Sequence, residues 1–333
     1  MISEIPSSRS LAGRLRKVLH YGDRPWNALT FAMAALVLLL MLAIGLLLWT
    51  GSGAARAEFG LKFILPTNNA SWNPVANKFQ AWPFIYGTLL TSLVALVFAV
   101  PVSLGVAIFL AELSPAWLRQ PLSWMVELLA AIPSVVYGLW GIFVFLPVVV
   151  TPFGGFLAAS LGRVPLLGAL FQGPIPASGS SRLAAALILA IMVTPTIATV
   201  TRDVFQAIPN SQREASLALG ATRWEMIWQV LVPYGLSGIL GGVILGLGRA
   251  LGETMAVTMV IGNSIEGSPS LLRPGYTMSS LIANEFAEAV SQLHTEALVE
   301  IGLVLFIMTL LLNLAARYLV WRVARRMPQE VRA

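Results

Sequence analysis

The sequence contains no cysteine and only two histidines, His20 and His294, among 333 residues. Without cysteine the chain can form neither a disulfide framework nor a thiolate metal site or nucleophile. Two distant histidines also argue against a protein-built zinc centre, which usually needs three or four nitrogen, sulfur or oxygen ligands. These absences argue against both disulfide-rich secreted domains and zinc enzymes.

Charged residues are scarce as well. They make up 11% of the chain, whereas hydrophobic residues make up 57%, and an ordinary soluble domain carries about 25% charged residues. A chain of this composition cannot cover its surface with polar groups, which excludes a water-soluble enzyme. Disorder is excluded too, because disordered segments combine low hydrophobicity with high charge. The composition predicts a protein that lies largely in lipid.

The usual sequence motifs of nucleotide and peptide hydrolysis are missing. None of the three lysines, Lys17, Lys62 and Lys78, follows a glycine, so no Gly-x-x-x-x-Gly-Lys-Ser/Thr phosphate loop exists. Neither Gly-x-Ser-x-Gly nor His-Glu-x-x-His occurs, which removes two common hydrolytic sites. We therefore do not expect the chain to hydrolyse ATP or to bind a cofactor by itself.

What the sequence does contain is a series of apolar runs long enough to cross a bilayer, which takes about 20 residues. The runs are Leu29–Leu48, Phe84–Leu110, Leu122–Val150, Leu183–Val200, Tyr234–Gly262 and Ala297–Val320. They predict an all-α polytopic membrane protein with six transmembrane helices. We expect the segment Thr151–Ser181 to be a loop, and Glu296 and Glu300 to be solvated at the outer interface.

The basic residues predict the orientation. Most of them lie before the first run, between the fourth and fifth runs, and after the last run, with fewer in the alternate connections. By the positive-inside rule both termini are cytoplasmic. The first run could instead be a secretory signal, since Ala55-Arg56-Ala57 resembles a cleavage site. Its length exceeds the 7–15 apolar residues of a signal peptide, which favours a retained anchor.

The cytoplasmic segment 211–232 is too well organised for a simple loop. Ser211 with Glu214, and Thr222 with Glu225, each have the spacing of a helix-capping box. The pattern predicts two short helices, one beginning near each box.

Gly220 is suited to the turn between these helices, and Pro233 is expected to end the second one. Trp224 and Trp228 would then be exposed to the cytosol. An exposed apolar hairpin indicates either a protein partner or a position on the inner leaflet of the membrane.

The residues of this hairpin resemble the EAA loop of ABC-importer permeases. Glu214-Ala215-Ser216 is followed after three residues by Gly220, and after nine more by Val230-Leu231-Val232-Pro233. The resemblance implies a coupling helix that docks on a cytoplasmic ATPase subunit. The residues expected to couple are Glu214, Ala215, Gly220 and Trp224, with glycine needed at position 220 because a Cβ would obstruct the turn.

The fifth apolar run carries a charge within the bilayer. Arg249 lies sixteen residues after Pro233, which is about 24 Å along a helix. On one continuous helix Arg249 and Glu253 would share a face with Gly242 and Gly246. Because glycines permit close helix contact, we expect both charges to face another helix.

An intramembrane charge is a functional hypothesis by default. Arg249 and Glu253 could simply neutralise each other and lock the bundle. Alternatively the guanidinium binds a passing oxyanion, and Glu253 orients it. The hydroxyls of four nearby threonines are expected to bond to helix backbone or to a neighbouring helix rather than to the anion. These are Thr194, Thr196, Thr199 and Thr201.

A closer resemblance covers residues from about 25 to the C-terminus. Gly246–Asn263, Ile132–Leu139 and Thr194-Pro195-Thr196 are similar to the permease subunits of phosphate-specific ABC importers, PstC type. The resemblance implies a type I permease in the bacterial inner membrane with the substrate pathway at Arg249, Glu253 and Thr254.

The same resemblance implies the partners: a sister permease of PstA type, two copies of a cytoplasmic ATPase subunit that bind ATP and Mg²⁺, and a periplasmic phosphate-binding protein. It also divides the chain into five segments. They are a cytoplasmic N-terminus (1–25), an anchor helix (26–50), a periplasmic loop (51–83), a five-helix permease core (84–323) that contains the coupling loop (211–233), and a cytoplasmic tail (324–333).

Three alternatives remain open at this point. A permease for sulfate or molybdate would use the same cation, because one Arg–Glu pair cannot distinguish tetrahedral oxyanions. An ion-coupled secondary anion transporter would use Glu253 to carry protons. A scaffold without transport activity would use the hairpin only to bind a regulator.

Overall fold

The computed structural model describes residues 23–66, 72–165, 168–265 and 268–325. The basic N-terminal residues 1–22 and the tail from residue 326 lie outside the described residues, together with the orientation that their charges predict. Within the described ranges the chain is helical and forms no β-strand, only isolated bridges at Asn73–Lys78 and Gly262–Gly275.

Eleven helices can be followed through the described residues. They are α1 (Asp23–Gly51), α2 (Gly53–Phe59), α3 (Trp82–Leu113), α4 (Ala116–Ala131), α5 (Ser134–Leu161), α6 (Arg182–Ala207), α7 (Asn210–Ala218), α8 (Arg223–Gly252), α9 (Met255–Val260), α10 (Met278–Glu285) and α11 (Gln292–Arg325). Each of α3, α5 and α8 includes a π-helical stretch, at Phe109–Leu113, Gly141–Val150 and Ile227–Leu231.

Six of these helices are long and apolar enough to cross a membrane: α1, α3, α5, α6, α8 and α11. The prediction of an all-α polytopic protein with six spans is therefore confirmed. The chain divides into two compact units, Met1–Gly51 and Ser52–Ala333. Of the first unit, the structure describes the single apolar helix α1.

Helix α6 is the centre of the second unit. In the most apolar 18-residue stretch of α6, 67% of the residues are buried. The corresponding stretches of α3, α5, α8 and α11 are only 22–33% buried. Small residues on α3, such as Ala95 and Ala99, share one hydrophobic core with Leu189, Met192 and other residues of α6. Across the same contact Ser103 Oγ donates a hydrogen bond to the carbonyl of Thr194 at 3.1 Å. Movements of α3 and α6 are therefore coupled by direct packing.

The third predicted span, Leu122–Val150, was placed wrongly. Helix α4 ends at Ala131, Ile132 and Pro133 are extended with ψ of 129° and 139°, and α5 then runs to Leu161. The ring of Pro133 disfavours the helical conformation of the residue before it, so the apolar run is interrupted at this point. The segment after Val150, predicted as loop, continues α5 for eleven residues.

The fifth span also differs at both ends. Pro233 does not end the hairpin's second helix, because α8 runs from Arg223 through Pro233 to Gly252. The π-helical stretch Ile227–Leu231 ends two residues before this proline. Proline has no N–H to donate within the helix, and the π-helical stretch changes the hydrogen-bond register at the point where that N–H would be needed. At the other end the helix stops ten residues before the predicted Gly262.

Candidate functional site

Glycines bring α8 close to α6 in the part of the helix that leads to Arg249. A Cβ added at Gly246 would lie 2.7 Å from Ile197 Cδ1, and one at Gly242 would lie 3.4 Å from the backbone oxygen of Ile197. Both glycines are buried. The prediction that this stripe faces another helix is confirmed, and the other helix is α6.

Arg249 faces the same neighbour. Its Nη1 donates a hydrogen bond to Thr196 Oγ1 at 3.2 Å, and the residue is half-buried. Thr196 follows Pro195 in α6 and was expected to bond to helix backbone or to a neighbouring helix. No carboxylate pairs with Arg249 in the part of the chain that the structure describes. Most of the five donor hydrogens of the guanidinium are thus not engaged by the described residues.

Glu253 forms no ion pair with Arg249 among the described residues, so mutual neutralisation of the two charges is not observed. Helix α8 ends at Gly252, and Glu253 is extended with φ −68° and ψ 127°. Its Oε1 accepts a hydrogen bond from the Ala256 amide at 3.3 Å, so the carboxylate caps the first turn of α9. Its carbonyl accepts one from Ser279 Oγ at 2.8 Å. Polar side chains that satisfy nearby backbone amides compete with helix continuation, so this carboxylate is used at the start of α9 and not by the guanidinium.

Thr254 lies in the same break. Its hydroxyl donates to the carbonyl of Gly252 at 3.2 Å, while its own carbonyl accepts from Thr258 Oγ1 at 2.7 Å. The hydroxyl hydrogen therefore stabilises the turn between α8 and α9. The structure brings Thr254 near the end of α8 but gives it no contact with the guanidinium.

A second interrupted helix packs against this break. A Cβ at Gly138, in the first turns of α5, would lie 2.5 Å from Met259 Sδ and 3.3 Å from the Cα of Ala256 in α9. Across the Ile132-Pro133 interruption, Tyr137 Oη donates to the carbonyl of Leu129 at 2.9 Å. The two breaks in long apolar runs, one before α5 and one before α9, thus lie in one packed region.

The hairpin after α6 forms as predicted in outline. Helix α7 is followed by Gly220 with φ +89°, and Thr222 begins α8 with a capping box that includes Glu225. The first predicted box is wrong, because α7 begins at Asn210 after Pro209 and Ser211 makes no cap. A Cβ on Gly220 would meet nothing within 4 Å. Glycine is needed there for its left-handed backbone, not for space.

The predicted coupling residues lie on one exposed hairpin. Glu214, Ala215, Gly220 and Trp224 are all exposed. Apolar side chains surround them: Leu219 is 90% exposed, Trp224 is 65% exposed, and the Trp224 and Trp228 rings contact edge to face with centroids 5.5 Å apart. Exposed apolar surface of this kind marks an interaction site.

Two arginines counted only as topological charges have structural partners that the sequence did not reveal. Arg202 Nη2 lies 3.1 Å from Glu127 Oε1 on α4 and 2.8 Å from Asp203 Oδ1. Arg213 Nε lies 2.9 Å from Glu112 Oε1 at the end of α3. Glu112 and Arg213 are 101 residues apart, so no spacing pattern could pair them.

The residues predicted to be solvated at the start of α11 are held by the protein. Glu300 is only 4% exposed. Glu296 Oε2 accepts the Ala54 amide of α2 at 2.6 Å. The expectation for Glu300 was wrong, because α2 packs on this end of α11 and Glu300 is buried there, whereas Glu296 stays partly exposed.

A cavity of about 660 Å³ lies elsewhere, where Glu285, Glu288 and His294 line it with Tyr276. Glu285 Oε2 accepts from Trp72 Nε1 at 2.6 Å and lies 3.0 Å from His294 Nε2. Burial raises the pKa of the Tyr276 phenol, so the ring stays neutral. The carboxylates of Glu285 and Glu288 disfavour an oxyanion in this cavity, so it is not a candidate substrate site.

Comparison with known proteins gives a consistent family. Residues 103–328 match the family described as binding-protein-dependent transport system inner membrane component. The phosphate transport system permease protein PstC of Xylella fastidiosa (strain 9a5c) is 47% identical over 298 residues, 90% of each chain. The protein of the same name from Mesorhizobium japonicum is 45% identical over 322 residues, 97% of each chain.

Solved structures agree on the fold. A subunit of a bacterial alginate ABC transporter, solved in complex with an alginate pentasaccharide-bound periplasmic protein, has a TM-score of 0.58 and 18% identity, covering 91% of this chain and 97% of that one. A subunit of the MetNI methionine ABC transporter, in an inward-facing conformation, has a TM-score of 0.53 and 19% identity, covering 76% and 99%. The predicted permease architecture is confirmed by these likenesses, which show the fold alone.

Proposed function

The chain belongs to the family of binding-protein-dependent transport system inner membrane components, and we propose that it is the permease subunit of an ATP-driven ABC importer of inorganic phosphate. The observation that carries this function is its 45–47% identity, over 90–97% of its length, to permeases named for phosphate transport. A sulfate or molybdate permease, a secondary transporter and a scaffold are not favoured by these relatives. The chain is a multi-pass membrane protein, and as a permease subunit it transports rather than catalyses.

Arg249 is the residue that we assign to contact the anion. Its guanidinium lies within a membrane span, is half-buried, and has a single hydroxyl partner, Thr196, in the described part of the chain. A cation with unused donors binds a phosphate oxyanion in bidentate fashion. The site must release its anion to permit flux, and a weak site with few additional donors does so.

For Glu253 and Thr254 we propose a different role from the direct one that the resemblance implies. Their contacts define the break between α8 and α9, so they support the pathway by ending α8 just after Arg249. We propose that they position the guanidinium indirectly, through the backbone, and that neither contacts the anion.

The hairpin of α7 and the start of α8 is the proposed contact with an ATPase partner. Its exposed residues Glu214, Ala215, Gly220 and Trp224 combine a carboxylate with an aromatic surface, which suits a groove on a soluble subunit. ATP and Mg²⁺ would be bound by that subunit. Its hydrolytic cycle would move the hairpin and switch the spans between outward-open and inward-open states.

An importer of this kind requires a binding protein and an ATPase, and we extend this to a full assembly: a sister permease of PstA type, two ATPase copies and a periplasmic phosphate-binding protein. The hairpin is then cytoplasmic, as are both termini, and the bacterial inner membrane is the expected location. The five helical spans that begin with α3 form the permease core, and α1 is the anchor.

Uptake of radiolabelled phosphate into vesicles that contain the complete complex tests this function. We expect uptake that requires ATP, stops with an ATPase-inactive partner, and is reduced by unlabelled phosphate far more than by sulfate or molybdate. Concentrative uptake with the inactive ATPase would indicate a secondary transporter. Unchanged uptake after deletion of this chain would indicate a scaffold, and preferential competition by sulfate would reassign the substrate.

A further inference from the structure

Arg213 occupies a position that the proposed function leaves unexplained. It lies in the first turns of α7, next to the exposed Glu214, yet its own side chain turns inward and is only 14% exposed. Its Nε donates to Glu112 Oε1 at 2.9 Å and its Nη2 donates to the carbonyl of Phe205 at 2.6 Å. Its Nη1 donates to the carbonyl of Ile208 and, at 3.2 Å, to Asn210 Oδ1.

These acceptors belong to different elements of the bundle. Glu112 lies in the π-helical end of α3 and is 12% exposed. Phe205 lies in the last turn of α6, and Ile208 follows its end. Carbonyls in the last turn of a helix lack intrahelical partners, and a cation there also complements the helix dipole. One side chain therefore joins the hairpin to the ends of two spans.

Both spans lead to the proposed anion contact. Helix α6 carries Thr196, whose hydroxyl accepts the hydrogen bond from Arg249. Helix α3 packs along α6 and bonds to it through Ser103 and the Thr194 carbonyl. Phe205 is fully buried and lies against Gly235 of α8, where a Cβ would come within 3.0 Å of its ring. A displacement of Arg213 is thereby passed to the helices that surround Arg249.

We propose that Arg213 is a positioning residue that fixes the coupling hairpin to α3 and α6, so that hairpin movement is converted into movement of these spans. This inference rests on the proposed function, because it concerns how the ATPase cycle reaches the substrate pathway. Two neighbouring residues of α7 thus have different roles: the exposed Glu214 faces the partner, and the largely buried side chain of Arg213 transmits its motion.

Arg202 provides the matched control. Arg202 is a buried arginine in the last two turns of α6. Like Arg213 it pairs with acidic side chains, in this case Glu127 and Asp203. Among the described residues its partners lie on α4 and α6, and none belongs to the hairpin. Loss of Arg202 removes the ion pairs of another largely buried guanidinium, whose carboxylate partners are about half exposed, without disconnecting the hairpin.

The test measures phosphate imported per ATP hydrolysed by the complete complex in proteoliposomes, with labelled inorganic phosphate and its binding protein. For Arg213→Gln we expect the assembled complex to retain ATP hydrolysis while the import per ATP falls by about 5- to 150-fold, the range of typical coupling energies. Glu112→Gln should lower the same ratio less, since the carbonyl contacts remain. Arg202→Gln should leave the ratio unchanged.

A conservative replacement and a double variant test whether the effect comes from the particular contacts of Arg213. Arg213→Lys keeps the charge for Glu112 but lacks the planar fork that reaches several acceptors, so the ratio should recover in part. Arg213→Gln combined with Glu112→Gln should lower the ratio by less than the two separate effects together, as expected for residues in direct contact.

Three results would overturn the inference. One is an unchanged ratio in assembled complexes of both Arg213→Gln and Glu112→Gln. Another is a fall of the same size in Arg202→Gln. The last is failure of both Arg213→Gln and Glu112→Gln to assemble with the ATPase, which would make the contact a requirement for folding. Absence of ATP-driven uptake by the wild-type complex would instead refute the proposed function.

Discussion

The two arginines at Arg249 and Arg213 differ in how fully the protein satisfies them. Arg213, at the ends of α3 and α6, donates to four acceptors that include the largely buried carboxylate of Glu112. Arg249, within a span, has one hydroxyl partner among the residues that the structure describes. A guanidinium surrounded by carbonyls and a carboxylate holds parts of the protein together, whereas one with unused donors is available to an anion. The comparison assigns fixed structure to the first and transient binding to the second.

The largest effect in this comparison is expected from Arg249→Ala. Removing two charge-assisted hydrogen bonds to the anion, each of about 1.5–3 kcal/mol, should lower ATP-driven phosphate uptake by about 100-fold or more. The variant should still insert and copurify with the ATPase, because no partner carboxylate is left unpaired. Arg249→Lys is the control and should retain partial uptake. Wild-type uptake by the alanine variant would remove Arg249 from the pathway.

Next in size is the effect of Gly220→Val, which concerns the hairpin instead of the span. The left-handed φ of +89° is a strained conformation for a β-branched residue, at a cost of about 1–3 kcal/mol. We expect weaker copurification with the ATPase and less import per ATP hydrolysed. Gly220→Asn is the matched control, because asparagine tolerates this region of backbone space. Equal behaviour of the valine and asparagine variants would contradict the backbone explanation.

A smaller effect is expected where α8 meets α6. Gly246→Leu forces side-chain atoms into Ile197, 2.7 Å from the Cβ position, and overpacking of this kind costs about 1–3 kcal/mol. The thermal unfolding midpoint of the purified complex should fall. Gly241→Leu on the same helix, where a Cβ meets nothing within 4 Å in this chain, should change it less. A larger loss in the Gly241 variant would show that the helix contact has been misassigned.

The smallest effect is expected from Glu253→Gln. The glutamine oxygen can still accept from the Ala256 amide, and the lost charge is not paired with Arg249. Uptake should fall by less than about tenfold, the equivalent of one ordinary hydrogen bond. Loss of uptake as complete as in Arg249→Ala would restore the view that the two charges act as a pair.

The parts of the fold that could be predicted depend on local signals. Thr222 and Glu225 form their capping box because both partners lie within one turn. The glycine stripe at Gly242 and Gly246 faces α6 because helical periodicity holds that far along α8.

The failures have equally local causes. The periodicity of α8 suggested a pair between Arg249 and Glu253, but the helix ends at Gly252 and the carboxylate bonds to the Ala256 amide at the start of α9. The interruption before Pro133 was hidden inside an apolar run.

Contacts between distant residues were beyond sequence reasoning. The partner of Arg213 is 101 residues away and that of Arg249 is 53 residues away. Nothing in the sequence separates Thr196 from the other three threonines. Only the packing of α6 on α8 shows that Thr196 is the one that bonds to Arg249. The burial of Glu300 depends on α2, a helix that the composition of residues 51–83 did not indicate.

The central claim is that the Arg249 side chain reaches an aqueous route for anions. Because the chain has no cysteine, Arg249→Cys introduces its only thiol, and 2-(trimethylammonium)ethyl methanethiosulfonate attaches a fixed cation there if water reaches it. We predict that the reagent labels position 249 in the cycling complex and that the attached cation partly restores phosphate transport. The buried neighbour in Ala250→Cys should stay unlabelled. No labelling of Arg249→Cys in any nucleotide state would contradict the claim.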